Sequence, residues 1–244
     1  NVQDQVVLIT GANRGIGKAY VEEFLAAGAK KIYMGVRNLD SVKELAESNP
    51  DKLIPLELDI TNPDHIRMAV NKAEDTTILI NNAGVASPGR FLDGDEAGWD
   101  FTLDTNLKAV WRISQEAAGR MVASRTHGSI VNIASILGLH PGLDQTFYAT
   151  AKAGVVQLTK TIALELWRKN IRVNALCPGY FETEMNSDFF QGDKGAAYLQ
   201  KIPPQRLGNL EELSGPLLLL ASDAGSFMTG VALPVDGGHL LKSL

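Results

Sequence analysis

Between Ser135 and Lys152 the chain reads SILGLHPGLDQTFYATAK, a short stretch that holds a hydroxyl, a phenol and an ammonium. Tyr148 and Lys152 stand four residues apart, so on a helix they share a face, one turn from each other. A free phenol ionises near pH ~10 and exchanges protons poorly at neutral pH. A neighbouring ammonium favours phenolate and is expected to draw that pKa down, toward the range useful in general acid–base work. Alone the pair is weak, because Tyr-x-x-x-Lys is also an ordinary helix surface. Its reading depends on what the rest of the chain places beside it.

The surrounding pattern is strand, turn, helix, repeated, which predicts a mainly parallel sheet with helices on both faces. Strands are expected at residues 6–10, 31–36, 53–58, 77–80, 129–133, 171–176 and 231–235. Helices are expected from the first glycine turn to about residue 27, then over 40–47, 64–72, 96–123, 146–168 and 210–221. Val6-Val-Leu-Ile-Thr is short, apolar and β-branched, as a central strand buried on both sides should be. The fold class is therefore α/β: a doubly wound Rossmann fold with about seven strands. With no repeat, linker or low-complexity tract, residues 1–244 are expected to form one domain.

Where the first strand hands over to the first helix the chain reads Thr10-Gly-Ala-Asn-Arg-Gly-Ile-Gly. Glycines there allow a tight turn and close backbone approach to a pyrophosphate, while the helix N-terminus offers free N–H groups. Gly11, Asn13, Arg14, Gly15, Ile16 and Gly17 are thus candidate dinucleotide contacts. Their Gly-x-x-x-Gly-x-Gly spacing differs from Gly-x-Gly-x-x-Gly, and no Gly-Lys-Ser/Thr follows, which disfavours a nucleoside-triphosphatase turn. After the second strand the chain reads Gly35-Val-Arg-Asn38, with no carboxylate to hold a ribose 2′-OH before Asp40. Arg37, with Arg14, could pair with a 2′-phosphate instead, so NADP(H) is expected in preference to NAD(H).

Composition narrows the field. The 244 residues are 45% hydrophobic and 21% charged with a net charge of −5, which points away from nucleic acid and from anionic membrane surfaces. No apolar run approaches the ~18 residues of a membrane span. One cysteine, Cys177, excludes an intrachain disulfide and fits a reducing compartment as a buried thiol. The opening Asn-Val-Gln-Asp-Gln carries no leader pattern, and a cytoplasmic location is expected. No His/Cys/Asp grouping has metal-ligand spacing, so no metal is expected, and His140 reads as a loop residue or a substrate-orienting donor.

Taken in order, these motifs resemble the short-chain dehydrogenase/reductase family, in its branch of about 250 residues. The resemblance runs over essentially the whole chain: Thr10 to Gly17, Asp59 in Leu-Asp-Ile-Thr, Asn81-Asn-Ala-Gly84, Asn106 in Thr-Asn-Leu, Ser135, Tyr148-x-x-x-Lys152, Pro178-Gly179 with Thr183, and Asp236-Gly-Gly. The resemblance implies that Tyr148 is the proton donor in carbonyl reduction, or the base in alcohol oxidation. It implies that Lys152 holds the nicotinamide ribose and lowers the Tyr148 pKa, and that Ser135 hydrogen-bonds the substrate oxygen. Asn106 would hold a water that links Lys152 to solvent. Asp59 and Ile60 would flank the adenine, and Asn81, Ala83 and Gly84 the ribose side. Pro178, Gly179, Phe181 and Thr183 would complete the cofactor contacts, Thr183 at the carboxamide.

Residues 186–205, with Gly192, Gly195, Pro203 and Pro204, suit a substrate lid. Substrate contacts are expected from that lid, from residues 137–147 and from 85–91. Leu139, His140, Leu143, Phe147, Tyr180, Phe189 and Phe190 would make a moderately apolar pocket. One departure is the short stretch between Asp59 and Asn81, which trims an outer helix near the adenine. The resemblance implies an NADPH-dependent carbonyl reductase, running in reverse as an alcohol dehydrogenase. The alternative is a 3-oxoacyl-carrier-protein thioester reductase, and a remote one is a non-catalytic dinucleotide sensor. It further implies a homotetramer, with a dimer next, paired through the long helices 96–123 and 146–168 and through the C-terminal strand and helix, with Trp99, Trp111 and Trp167 as interface anchors or core.

Overall fold

The computed structural model describes residues 2–86, 89–183, 190, 192–200 and 202–241. The apolar runs form strands β1 (Val6–Thr10), β2 (Lys31–Val36), β3 (Leu53–Glu57), β4 (Ile78–Asn81), β5 (Gly128–Ile133), β6 (Ile171–Pro178) and β7 (Ala232–Val235). All seven join one sheet in the order β3-β2-β1-β4-β5-β6-β7, and every pairing is parallel. From β1 the chain runs outward to β2 and β3, then returns to β4 on the other side of β1. That reversal opens a crevice beyond the ends of β1 and β4, the place where such sheets bind ligands.

The helices are α1 (Gly15–Ala26), α2 (Lys43–Ser48), α3 (Pro63–Lys72), α4 (Glu96–Leu103), α5 (Ala109–Ala123), α6 (Thr146–Leu166), α7 (Asp193–Leu199) and α8 (Ser214–Ala221). Alternation along the strands divides the core into two layers. Val7 and Ile9 of β1 pack with Tyr20 and Phe24 of α1 and with Leu217 and Leu220 of α8. Leu8, between them in sequence, faces the other layer with Ile66 of α3, Ile113 and Met121 of α5 and Ala163 of α6. The start of α3 is set locally: Asn62 accepts from the Asp64 and His65 amides, and Pro63 occupies the first turn.

Element boundaries depart from the sequence reading where local geometry tightens or loosens. The helix expected over 96–123 is interrupted by a π-turn, Asp104–Lys108, between α4 and α5. The helix expected over 210–221 begins as a 3-10 turn, Leu210–Leu213, with a capping box between Asn209 and Glu212. In the same way a 3-10 turn, Leu39–Val42, precedes α2, and α6 closes through the 3-10 turn Trp167–Lys169 with Asn170 at φ 59. The expected lid, 186–205, lies partly outside the described residues; within it the structure describes α7 and the turn at 202–205.

Two buried polar arrangements tie the layers together. Asn81 Nδ2 donates to Ser114 Oγ (2.9 Å) and to Asn132 Oδ1 (2.8 Å), and Asn132 Nδ2 donates to Thr159 Oγ1 (2.9 Å). This chain links β4, β5, α5 and α6 behind the crevice. Arg172 of β6 donates through Nη1 to the Leu220 carbonyl (2.8 Å) and through Nη2 to the Ser222 carbonyl (2.9 Å), closing the C-terminus of α8. Charge-assisted bonds to half-buried carbonyls are among the stronger ones. Arg172→Met is therefore expected to lower stability by about 2–3 kcal/mol in urea unfolding without altering ligand binding in the crevice; a loss under about 0.5 kcal/mol would remove this role.

Candidate active site

A cavity of about 720 Å³ opens at the crevice. Its floor is the glycine turn, where Gly11, Asn13, Arg14, Gly15, Ile16 and Gly17 all line the wall. Gly15 adopts φ +50, and a Cβ on Gly17 would lie 2.0 Å from the Gly11 carbonyl oxygen, so neither position accepts another residue without rebuilding the turn. At the start of α1, Arg14 makes no side-chain cap and the first turn holds no acidic residue. The amides of that turn therefore face the cavity with the positive end of the helix dipole, which suits a phosphate.

The turn is held to β4 by Thr10 and Asn82. Thr10 Oγ1 accepts from the amides of Asn82 (3.0 Å) and Ala83 (3.0 Å), and Asn82 Nδ2 donates to the carbonyls of Thr10 (3.0 Å) and Gly11 (3.2 Å). Asn82, Ala83 and Gly84 line the cavity, and Asn81 does not. This corrects the expectation for Asn81. Successive side chains on a strand point to opposite faces, and Asn81 points inward to Ser114 and Asn132. Of the paired asparagines, Asn82 is the one at the site.

At the outer end, Arg37, Asp59 and Ile60 line the same cavity, together with Leu58 and Thr61. Asp59 Oδ1 accepts from the Thr61 amide (2.9 Å) and from Thr61 Oγ1 (2.7 Å). Burial pushes the Asp59 carboxyl up, but the Thr61 bonds, with Arg37 and His65 nearby, outweigh it and leave the pKa below its ordinary value. Asp59 thus shapes the loop and keeps a charge beside Arg37. Phe181 was expected among the cofactor contacts. Instead it is buried in the layer of α1 and α8, its backbone bridged to Gly208, while Pro178, Gly179 and Thr183 do line the cavity.

Ser135, Tyr148 and Lys152 converge on the wall opposite the turn. A 3-10 turn, Ile136–Gly138, follows β5, and Ser135 Oγ accepts from the Leu137 amide (3.1 Å), which orients the hydroxyl. The turn packs directly on α6: a Cβ on Gly138 would lie 2.7 Å from the Lys152 carbonyl oxygen. The Ser135 hydroxyl favours the ionised form of the Tyr148 phenol. Burial is the larger influence, however, and the Tyr148 pKa stands above its ordinary value, with the nearby Tyr180 phenol adding to the rise.

Lys152 does not offset this rise in the cofactor-free protein. Its Nζ lies 5.7 Å from the centroid of the Tyr148 ring and donates to the Ile133 carbonyl (2.8 Å), so the ammonium sits over the ring. The expected depression of the phenol by its neighbour is absent for that geometric reason. Lys152 is itself 5% exposed, and burial pushes it down to about 8, partly opposed by the Cys177 sulfur. Cys177 is fully buried and pushed up to about 11, an inert thiol as its context implied.

Asn106 occupies the π-turn and is fully buried, behind the cavity wall. Its Nδ2 donates to the Val85 carbonyl (2.9 Å) and its Oδ1 accepts from the Val85 amide (2.8 Å). Both sides of the amide are thus spent on one residue of the strand-to-helix loop. Oδ1 lies 2.9 Å from where a Cβ on Gly84 would be, and Lys152 Nζ 3.8 Å from it, so Gly84 separates the two side chains. Among cavity residues the sequence reading passed over, Phe101 and Thr105 stand four apart on α4 and the π-turn, a spacing that marked a shared face. Phe147, expected at the substrate, instead packs inward edge-on against Trp99, with ring centroids 5.5 Å apart. Leu143 is 92% exposed.

This site and fold define a dinucleotide-dependent dehydrogenase or reductase. The family model described as Enoyl-(Acyl carrier protein) reductase matches residues 11–239. The chain belongs to the short-chain dehydrogenase/reductase family of NAD(P)-dependent oxidoreductases. It is 40% identical to the 3-oxoacyl-(acyl-carrier-protein) reductase of Thermotoga maritima, over 98% of this chain and 99% of that one. It is 35% identical to the NAD-dependent glycerol dehydrogenase of Listeria innocua, over 99% and 96% of the two chains. A gluconate 5-dehydrogenase from Burkholderia cenocepacia, solved in complex with NADP and tartrate, superposes with a TM-score of 0.92 at 31% identity, covering 98% of this chain and 96% of that one. Among the described residues no grouping could hold a metal ion, and no helix is long and apolar enough to cross a membrane.

The buried ammonium makes stability depend on pH. Unfolded, Lys152 keeps its proton to about its ordinary 10.5; folded, it releases the proton near 8. Unfolding takes up a proton between those values, so stability rises with pH across that window and the burial cost is constant below it. Lys152→Met is expected to stabilise the cofactor-free protein by about 2 kcal/mol at pH 7. The gain should fade as pH climbs through the window. A gain independent of pH, or a loss, would contradict this origin.

Proposed function

We propose that the protein is an NADPH-dependent reductase of a ketone or aldehyde, able to run in reverse on a secondary alcohol. The observation that carries this reading is the convergence of Ser135, Tyr148 and Lys152 on the wall of a cavity whose floor is an uncapped helix N-terminus. The residues present fit a nicotinamide dinucleotide. The α1 amides and the glycine turn would hold its pyrophosphate, and Arg37 with Arg14 its 2′-phosphate. Thr183 would take the carboxamide and Lys152 the ribose hydroxyls. When bound, the cofactor supplies the hydride.

Ser135 Oγ, oriented by the Leu137 amide, donates to the substrate oxygen and stabilises the charge that grows there as the carbonyl carbon is reduced. Tyr148 then gives its proton to that oxygen. Lys152, beside the Tyr148 ring, would hold the ribose hydroxyls and stabilise the phenolate that forms. Asn106 holds the Val85 loop beside Lys152, on the side from which solvent would return a proton.

The 40% identity to a 3-oxoacyl-(acyl-carrier-protein) reductase favours a second reading, in which the ketone is the 3-oxo group of a thioester on a carrier protein. We also propose one domain over residues 1–244, a cytoplasmic location and a homotetramer. Trp111 on α5, and Leu164 and Trp167 at the end of α6, are 41%, 76% and 56% exposed, which supports pairing through those helices. A sedimentation profile of monomer alone would refute the assembly.

Assaying simple ketones, 3-oxoesters and 3-oxoacyl thioesters for NADPH oxidation separates the two substrate readings. Efficient turnover of thioesters alone would establish the second; no turnover of any carbonyl would end both. NADPH should exceed NADH in kcat/KM by at least about tenfold, and Arg37→Ala should erase most of that preference. A native preference for NADH would overturn the cofactor assignment.

A further inference from the structure

Four rings from four separate segments meet beside the catalytic phenol. Tyr180 follows β6, Tyr198 lies on α7, His239 on the C-terminal tail, and Phe190 precedes α7. Tyr198 packs on Tyr180 with ring centroids 5.0 Å apart at 68°, and on His239 at 5.6 Å and 82°. Tyr180 also meets His239 at 5.6 Å and Phe190 at 5.7 Å. Edge-to-face contacts of this kind add to ordinary burial. Burial raises the Tyr198 pKa, and the Tyr180 phenol beside it adds to the rise.

Two of these rings are mounted on rigid backbone. Residues around Tyr180 form a short ladder with Gly208, in which the Gly208 amide donates to the Tyr180 carbonyl and the Glu182 amide to the Gly208 carbonyl, both at 2.9 Å. The tail carrying His239 is fastened by Asp236, whose carboxylate accepts from the Gly238 (2.9 Å) and Leu240 (2.8 Å) amides. Helix α7 is short and half its described side chains are exposed. Ala196 and Ala197 are exposed, Leu199 is half-buried, and the helix spans only Asp193–Leu199. A seven-residue helix with so little apolar burial is not stable by itself. Among the described residues, the ring contacts of α7 with other segments run through Tyr198, seated between Tyr180 and His239.

Tyr180 belongs to the segment after β6 that borders the site, and itself lines a neighbouring pocket with Phe181 and Ile202. Gly179 before it and Thr183 after it line the cavity, and its phenol acts electrostatically on Tyr148. We propose that Tyr180, Tyr198 and His239 form an aromatic latch that positions α7 against the substrate end of the site, with Tyr198 as a positioning residue that sets how firmly substrate is held. Tyr180, Tyr198 and His239 do not line the cavity that holds the glycine turn and Arg37, so NADPH affinity should not depend on them. The latch's kinetic part rests on the reductase reading above, and its structural part does not.

The test uses the full chain, NADPH, and the carbonyl compound that it reduces fastest. Tyr198→Ala is expected to raise KM by about tenfold or more with kcat within about twofold and NADPH affinity unchanged. Amides of α7 should exchange with deuterium at least about tenfold faster, while those of β5 stay as they were. Tyr198→Phe keeps the ring and loses the hydroxyl, so it should restore most of both properties. His239→Ala, on the opposite side of the latch, should loosen α7 in the same direction. Unchanged exchange at α7 in Tyr198→Ala and His239→Ala would overturn the proposal, as would faster exchange with an unchanged KM. If Tyr198→Ala did not fold, His239→Ala and Tyr198→Phe carry the same test. Were no carbonyl compound reduced at all, the exchange data would still decide the latch, so the two failures are distinguishable.

Discussion

Lys152 keeps an ammonium in the protein interior, and much of the surrounding architecture serves to hold it there. A buried cation without a partner is costly, and this one is given the Ile133 carbonyl at the end of β5. For that bond to form, β5 must end where α6 passes, and α6 must lie close enough for Gly138 to touch its backbone. The same approach brings Ser135 and Tyr148 together. One constraint, a lysine that must reach a strand-end carbonyl, thus sets three side chains.

Behind that group lies a polar layer that apolar packing alone would not supply. The chain from Asn81 through Asn132 to Thr159 pins β4, β5 and α6 in one register. Asn106 pins the loop after β4 by giving both halves of its amide to Val85. A regular helix would not present Asn106 this way; the π-turn supplies the offset, as such turns often do at functional sites. A buried amide satisfied on both sides, as that of Asn106 is, gives rigidity to the loop beside Lys152.

The strands were legible because each is a short apolar run between turn residues, and parallel strands buried on both faces must look that way. The glycine turn and the Ser135, Tyr148 and Lys152 set were legible for a similar reason, since each depends on residue type at a fixed spacing. Side-chain direction was not. Whether Asn81 or Asn82 meets the cavity depends on strand pleat, and a shift of one residue reverses the answer. Phe181 shows the same limit, since its side chain enters the core where its backbone bridges to Gly208. The pKa of Tyr148 was misjudged because spacing places an ammonium near a phenol without saying whether it meets the ring or the oxygen. The π-turn was invisible, as its residues carry an ordinary helical pattern. Residues 186–189, 191 and 201 of the expected lid, Phe189 among them, lie outside the described residues.

We propose that Tyr148 transfers the proton and that other groups hold the cofactor. The most direct test is Tyr148→Phe, measured by NADPH titration and by single-turnover reduction of a carbonyl substrate. The prediction is an NADPH affinity within about twofold of the native protein and a hydride-transfer rate lower by about a thousandfold. A variant that reduced substrate at near the native rate would contradict it.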